Sequence, residues 1–411
     1  MRDSKIILAT AYAVNPYKGS EDGMGWNLIC QIARFRPVIA VTRQNNRRHI
    51  EQFMQEHPNP LYANMVFEYF DLPYWMRFWK KGGRGAMLYF WMWQRALPGF
   101  IRQRKLVFDI AHNLNFHNDW TPSYLWKLKK PFVWGPIGHH PQIPAAFLKP
   151  YKKRYRFYET LTWHVKNAFW KFSPALRNTI SHAAHVLCMN RAVANVIDLS
   201  KKQVSIMPSV ATEDHNNHRS QPRQKFTVLS AGRLVPLKGF DLTILSFARF
   251  LATLHPVEQE RCELIIVGSG PEESYYRHLV QQQGVEAHVR FFAWMERSLL
   301  LQQYADAAAF LFPSHEGAGM VVAEALSFGV PVVCLDNSGP GEFIDASCGI
   351  AVPATSVNET INGLAAALGG LHGDERKRRA LSHGARARFE SHFQWNRRGD
   401  QLDHLYQNLS V

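Results

Sequence analysis

Apolar positions along this chain fall into short continuous runs separated by stretches with a helical repeat, and the whole pattern occurs twice. In the first half, Lys5–Thr10, Val38–Thr42, Met65–Phe70, Asp109–Asn113 and Phe132–Trp134 predict strands, with a helix starting near Gly25. In the second half the strands fall at Thr227–Ala231, Glu263–Val267, Val289–Phe292, Ala308–Phe312 and Pro331–Leu335. Helical stretches at Asp241–Leu254, Glu272–Gln283 and Met320–Phe328 lie between them. Strands alternating with helices predict parallel α/β layers. The polar stretch Thr212–Lys225 separates two such units, so the expectation is two α/β domains, 1–210 and 211–392, facing each other across a cleft. Ligands of open parallel sheets bind beyond the carboxyl ends of the strands, which directs attention to the loops there.

Composition narrows the class. The 411 residues are 46% hydrophobic and 20% charged, which excludes a disordered chain. The five cysteines are scattered with no framework or CxxC spacing, pointing to a reducing compartment. Neither a signal peptide nor a membrane-spanning run is legible, so a cytoplasmic location is expected. The net charge of +15 is concentrated in two places. Tyr74–Lys105 holds eight cations and no acid, and Lys149–Phe172 holds seven cations against Glu159. The same stretches carry six of the twelve tryptophans. Cations interleaved with aromatic rings suit the surface of an anionic membrane, with peripheral attachment to the cytoplasmic face of the inner membrane. The alternative is a helical layer with aromatics in the core and cations in water. No nucleic-acid recognition module is legible around these residues, and nucleic acid is not an expected partner.

The chemistry-bearing motifs lie mostly in the second half. After the strand Thr227–Ala231, the loop Gly232–Gly239 carries Arg233 and Lys238, two cations able to grip a diphosphate from two sides. The turn Gly268-Ser269-Gly270-Pro271 has Glu273 where a GxGxxG motif needs its third glycine, so a packing turn and a ligand contact are equally open. Ser314–Glu324 reads SHEGAGMVVAE, a glycine-rich loop opening an apolar helix. Bare backbone N–H groups there suit anionic or hydroxyl-rich ligands. Glu316 can accept hydrogen bonds from sugar hydroxyls. Glu324, two turns into the helix, needs a partner if buried: a ribose diol or an ion-paired cation.

These pieces together (GRLVPLKGFD, VGSGP, VRFFAW, YADAAAFLFPSHEGAGMVVAEALSFGVPVV and GPGEFI…CGIAVP) resemble the donor domain of the retaining glycosyltransferases of family 4. The resemblance covers Phe226–Pro353 in order, and Glu316 and Glu324 fall at the full spacing of that family's E-x7-E motif. It implies the GT-B fold, two Rossmann-like α/β domains. It further implies that Arg233 and Lys238 hold the nucleotide diphosphate. Glu316 and the segment Gly317, Ala318, Gly319, Met320 and Val321 would hold the donor sugar, and Glu324 the nucleotide ribose. The family usually needs no metal, and no DxD spacing occurs here; no cofactor is expected beyond the nucleotide-diphosphate sugar as donor substrate. Ala293 departs from the family's usual glycine near the nucleotide base.

In the first half the resemblance continues through Gly19–Trp26 (GSEDGMGW) and Gly135–Gly138 (GPIG), making Gly23 and Gly25 candidates to approach the donor diphosphate; a plain turn and helix start is the alternative. Asp109–Asn118 matches the strand that ends in the family's active-site histidine. Leu114 replaces the second histidine of the usual H-x-H, so the sugar contact falls to His112 or His117, with His112 favoured. The segment Phe393–Leu409 is expected to be a helix crossing back to the first domain, as in the family. The implied activity is retaining transfer of a sugar from a nucleotide-diphosphate sugar to a lipid-linked or membrane-presented glycan. The alternative is a non-catalytic basic membrane- or nucleic-acid-binding protein on a degenerate scaffold, against which the complete Arg233, Lys238, Glu316 and Glu324 set argues.

Overall fold

Runs of β-branched and aromatic residues, buried on both faces, build two separate parallel sheets. A computed structural model describes residues 5–80, 85–116, 118–215 and 225–410; His117, Lys81, Arg84 and most of the polar stretch between the halves lie outside the described residues. The chain divides into two compact units. The first comprises residues 1–139, 161–209 and 395–411, and the second residues 140–160 and 210–394.

The first unit is built on a seven-stranded sheet: β1 (Ile7–Thr10), β2 (Val38–Thr42), β3 (Met65–Tyr69), β4 (Ile110–Asn113), β5 (Phe132–Ile137), β6 (His185–Cys188) and β7 (Val204–Ile206). Their order is β3-β2-β1-β4-β5-β6-β7. Ile7 pairs with Val38 on one side and Ile110 on the other, so the connection reverses direction at β1. Such a reversal opens a crevice beyond the strand ends. The second unit holds six strands: β8 (Phe226–Ala231), β9 (Cys262–Val267), β10 (Val289–Phe292), β11 (Ala309–Phe312), β12 (Val332–Leu335) and β13 (Gly349–Val352). Their order is β10-β9-β8-β11-β12-β13, with the reversal at β8. Both units thus have Rossmann-like architecture.

The ten strands expected from the apolar runs are present, and three more were not foreseen: β6, β7 and β13. β7 lies at the edge of its sheet with an exposed-intermediate-exposed pattern, so burial imposed no apolar run on it. The first helix runs over Ser20–Ala33 and starts five residues before the expected Gly25. Glu21 and Asp22 occupy its first turn, where acids favour the helix dipole.

The aromatic-rich basic stretches are buried in part and exposed in part. In the helix Ala86–Gln103, Tyr89, Phe90, Trp93, Leu97 and Ile101 are buried, and Trp93 Nε1 donates to Phe70 O at 2.9 Å. Each such side chain contributes on the order of 1.5–3 kcal/mol of burial. The helix Lys153–Phe172 buries no residue. Tyr74, Trp75 and Phe78 are exposed. No helix among the described residues is long and apolar enough to cross a membrane.

The last helix, Trp395–Asn408, is part of the first unit. Lys5 Nζ donates to the carbonyls of Tyr406 (3.2 Å) and Leu409 (2.6 Å) at its C-terminus, where a cation also meets the helix dipole. Arg36 pairs with Asp403 at 2.7 Å.

Candidate functional site

In the second unit, three loops leave the carboxyl ends of β8, β11 and β12 and are bonded to one another. The loop after β8 turns through Gly239, whose φ of +67° and approach to Pro313 O (2.1 Å from where a Cβ would sit) admit only glycine. That turn places Lys238 directly before the helix Phe240–Leu251. Across the loop, a Cβ on Gly268 would meet Gly232 O at 1.9 Å, and one on Gly270 would meet Leu234 O at 2.4 Å. The glycines of the VGSGP turn therefore serve close packing against the Arg233 loop.

The loop after β11 is tied to this one by His315 N donating to Leu237 O (2.9 Å) and Ser314 Oγ donating to Leu237 O (3.1 Å). From β12, Asn337 Nδ2 donates to Ser314 O (2.7 Å), while its Oδ1 accepts from Gly339 N and Gly341 N. The result is a fixed seat for Glu316. Lys238 Nζ donates to both carboxylate oxygens of Glu316, at 2.6 and 2.7 Å. The two side chains are only 16% and 11% exposed, so charge assistance makes this a strong pair. Lys238 Nζ also stands 5.1 Å from the centroid of the Phe312 ring. Arg233, by contrast, is exposed.

Glu316 leads into Gly317, Ala318 and Gly319, and Met320 begins the helix Met320–Ser327. Gly317 and Gly319 are buried; Ala318, Met320 and Val321 are half-buried. Gly317 N donates to His140 Nδ1 at 3.0 Å, within the same unit. The neighbouring His315 is buried against Phe147, and burial pulls its imidazole down to about 4.

Glu324 is buried on this helix and has a cation. Arg297 Nη1 donates to its Oε1 at 2.7 Å, and Tyr304 OH donates to its Oε2 at 3.1 Å. The ion-pair alternative is thus present in the structure. Each carboxylate oxygen retains a second lone pair able to accept a further hydrogen bond. Burial and the adjacent Glu324 raise the Tyr304 hydroxyl well above its ordinary range, so it remains a donor. The second unit therefore brings Lys238, Glu316, Gly317–Val321 and Glu324 onto adjoining loops and one helix at the strand ends. Sequence reasoning missed Arg297, Tyr304, Asn337 and His140. A polar residue inside each motif segment was visible; its partner in another segment was not.

The candidates of the first unit fare differently. Gly23 and Gly25 lie inside the helix Ser20–Ala33 and are buried. A Cβ on Gly23 would meet Lys18 O at 2.2 Å, and one on Gly25 would meet Ala13 O at 2.2 Å. Both glycines let the helix approach the preceding loop, which is the plain helix-start alternative. His112 is corrected more sharply. It is fully buried in β4, its Nδ1 is 2.5 Å from Tyr406 OH and its Nε2 2.8 Å from Gly135 O. Burial holds the imidazole neutral, down to about 3. With both ring nitrogens engaged and no surface, His112 joins β4, β5 and the last helix and is not placed to touch a sugar. His117 is outside the described residues.

The two Rossmann-like sheets and the donor-type loops define a chain with the GT-B fold. Residues 211–388 match the model of the family described as glycosyl transferases group 1. Among curated proteins, the chain is similar to a GDP-mannose-dependent monoacylated alpha-(1-6)-phosphatidylinositol monomannoside mannosyltransferase of Corynebacterium glutamicum, 30% identical over 184 residues. That match covers 43% of this chain and 45% of the relative, so the chain spans less than half of the relative's length. Among solved structures, Anabaena HepE in complex with UDP superposes with a TM-score of 0.65 at 15% identity, covering 98% of this chain and 100% of the other. WaaG, a glycosyltransferase involved in lipopolysaccharide biosynthesis, superposes with a TM-score of 0.61 at 17% identity, covering 97% and 99%. These likenesses establish the fold.

Proposed function

We propose that this protein transfers a sugar, with retention of configuration, from a nucleotide-diphosphate sugar to a lipid-linked or membrane-presented glycan acceptor. The observation that carries this reading is the placement of Lys238, Glu316 and the Gly317–Gly319 loop on adjoining strand ends of the unit that matches the family. The second unit would hold the donor. Lys238 and the exposed Arg233 would face the diphosphate, Glu316 and the loop amides the sugar hydroxyls, and Glu324 the ribose. The glycolipid-directed relative and the lipopolysaccharide enzyme of like fold support the acceptor class.

Catalysis on this reading is electrostatic. As the bond from the sugar carbon to the diphosphate breaks, negative charge grows on the leaving phosphate, and cations already in position stabilise it without reorganising. Lys238 and Arg233 supply that charge, and no metal is called on. The acceptor hydroxyl attacks from the face the diphosphate leaves, and a phosphate oxygen of the donor takes its proton. Neither glutamate then serves as nucleophile.

A thermal-shift screen of UDP- and GDP-sugars on the full chain, followed by turnover of the stabilising donor with a glycolipid acceptor, tests the reading. Stabilisation by one nucleotide sugar and an axial product from an axial donor are expected. No stabilisation by any nucleotide sugar would overturn the donor assignment, and an inverted product the retaining one. Glu324→Gln should weaken nucleotide binding about 10-fold or more, as loss of a charged hydrogen-bond acceptor implies. Unchanged affinity by calorimetry refutes the ribose role.

A further inference from the structure

Beyond the carboxyl ends of β2 and β3 the first unit has a cavity of about 380 Å³ lined by Arg43, Asp71, Tyr74, Arg77, Phe78 and Lys80. Its cations exceed its acid by two. Asp71 is already held, accepting from Tyr89 OH at 2.5 Å and from Gln44 N at 3.2 Å. Arg77 reaches it only at 3.8 Å, and its Nε is buried with no hydrogen-bond partner among the described residues. Arg43 is fixed from behind, its Nε donating to Tyr12 O at 3.0 Å and its guanidinium 4.1 Å from the centroid of the Tyr12 ring. Burial and the nearby Arg43 pull the Lys80 ammonium below its ordinary value, so these cations crowd one another. A buried, unpartnered guanidinium nitrogen among mutually repelling cations is completed by an anion with several acceptor oxygens.

Tyr74 and Phe78 of this lining are 75% and 59% exposed, and Trp75, next to Tyr74 in the chain, is 71% exposed. They sit on or beside one short helix, Tyr74–Arg77. A bare phosphate ion in this cavity would leave these large rings in water. A lipid would not: aromatic rings settle at headgroup depth while cations beneath them meet the phosphate.

We infer that the cavity of Arg43, Arg77 and Lys80 is a binding site for the phosphate of an anionic membrane lipid, with Tyr74, Trp75 and Phe78 inserted among the headgroups around it. The site deepens the membrane-presented part of the proposed function. It stands on residues of the first unit alone, so it can fail while sugar transfer holds, and the reverse.

The test is flotation of the full chain with phosphatidylcholine vesicles made with and without phosphatidylglycerol. Wild type should float only with the anionic lipid. Arg77→Ala/Lys80→Ala should lose about 30-fold in partitioning, taking roughly fivefold for each cation at the surface. Trp75→Ser/Phe78→Ser should also lose binding although it removes no charge. A control of equal charge loss on exposed residues of the second unit, Arg376→Ala/Lys377→Ala, should lose little. Equal losses in the two charge variants would reduce the patch to diffuse attraction and overturn the site. Retained flotation in both cavity variants would also overturn it. Inorganic phosphate is the second arm: saturable quenching of tryptophan fluorescence by phosphate, without vesicle binding, would make the occupant a soluble phosphate and refute the lipid. Turnover of the donor with a water-soluble acceptor should be unchanged in the cavity variants.

Discussion

The Lys238–Glu316 pair makes the most exposed commitment of the structure, because stability and function pull its two members in different directions. Lys238→Met removes one partner and leaves a carboxylate that is only 11% exposed. Breaking a buried pair from one side costs about 3–5 kcal/mol. Both side chains keep a solvent edge, so the low end, about 3 kcal/mol, is expected here. Glu316→Gln keeps the shape and one acceptor and should cost less. In Lys238→Met/Glu316→Gln no charge is left stranded, and the cycle should close with a coupling of about 2 kcal/mol. The assay is urea denaturation of the full chain with all four proteins, read at the transition of the second unit. Additive losses, within about 0.5 kcal/mol, would show that the pair does not couple. The same four proteins test function. Donor turnover should fall by roughly 100-fold or more in every variant lacking Lys238, including the restabilised double variant. If turnover returns together with stability, Lys238 contributes only to folding, and the diphosphate role is refuted.

Two further expectations separate structure from chemistry elsewhere. His112→Ala should cost about 2–4 kcal/mol, since it opens a cavity and strips the partners of Tyr406 and Gly135. The KM for donor should be unaltered; a wild-type melting profile with a collapsed kcat would return His112 to the active site. His315 carries a pH signature, since its folded imidazole lies at about 4 and an unfolded one near 6.5. Between those values the unfolded chain binds the extra proton, so this contribution is whole above about pH 6.5 and declines toward pH 4, by up to about 3 kcal/mol. Buried Asp241, raised to about 6, acts in the opposite sense, so the test is the difference between His315→Phe and wild type, not the slope of either. Identical pH slopes in the two proteins would refute the assignment.

The fold was legible because most central strands are buried on both faces, and that condition writes a continuous apolar run into the sequence; β6 (HVLC), central but opening on a histidine, was missed all the same. β8 (FTVLSA) and β11 (AFLF) are buried at every position. β7 (VSI), at the sheet edge, carries no such mark and was missed for that reason. The charge pattern was legible only as an alternative. Trp93 and Trp75 stand eighteen residues apart in equally basic surroundings, yet one is fully buried and the other 71% exposed. Composition cannot tell them apart; helical phase against a core can, and only for a helix long enough to have a phase. Gly23 and Gly25 show the same limit, since a glycine needed for backbone approach and one needed for a ligand look alike until the carbonyl above it is seen.

At the site, what sequence hid was satisfaction. Glu316 and Glu324 were identifiable from a loop and a helix that share one motif, but a buried carboxylate is never chemically alone. The partner of Glu316 is 78 residues away, and that of Glu324 is 27 residues away on another helix. These pairs change what donor binding must do on the proposed reading. The Lys238 ammonium has three protons and presents bonds to both oxygens of Glu316. A diphosphate arriving beside it would share or take over that ammonium, and Glu316 would then turn to sugar hydroxyls to replace the bonds it loses. Binding a nucleotide without its sugar releases Lys238 but offers Glu316 nothing. The intact donor should therefore bind more tightly than the bare nucleotide, and Glu316→Gln should narrow that gap. Equal narrowing by Glu324→Gln, whose carboxylate keeps Arg297 and Tyr304 throughout, would contradict the exchange.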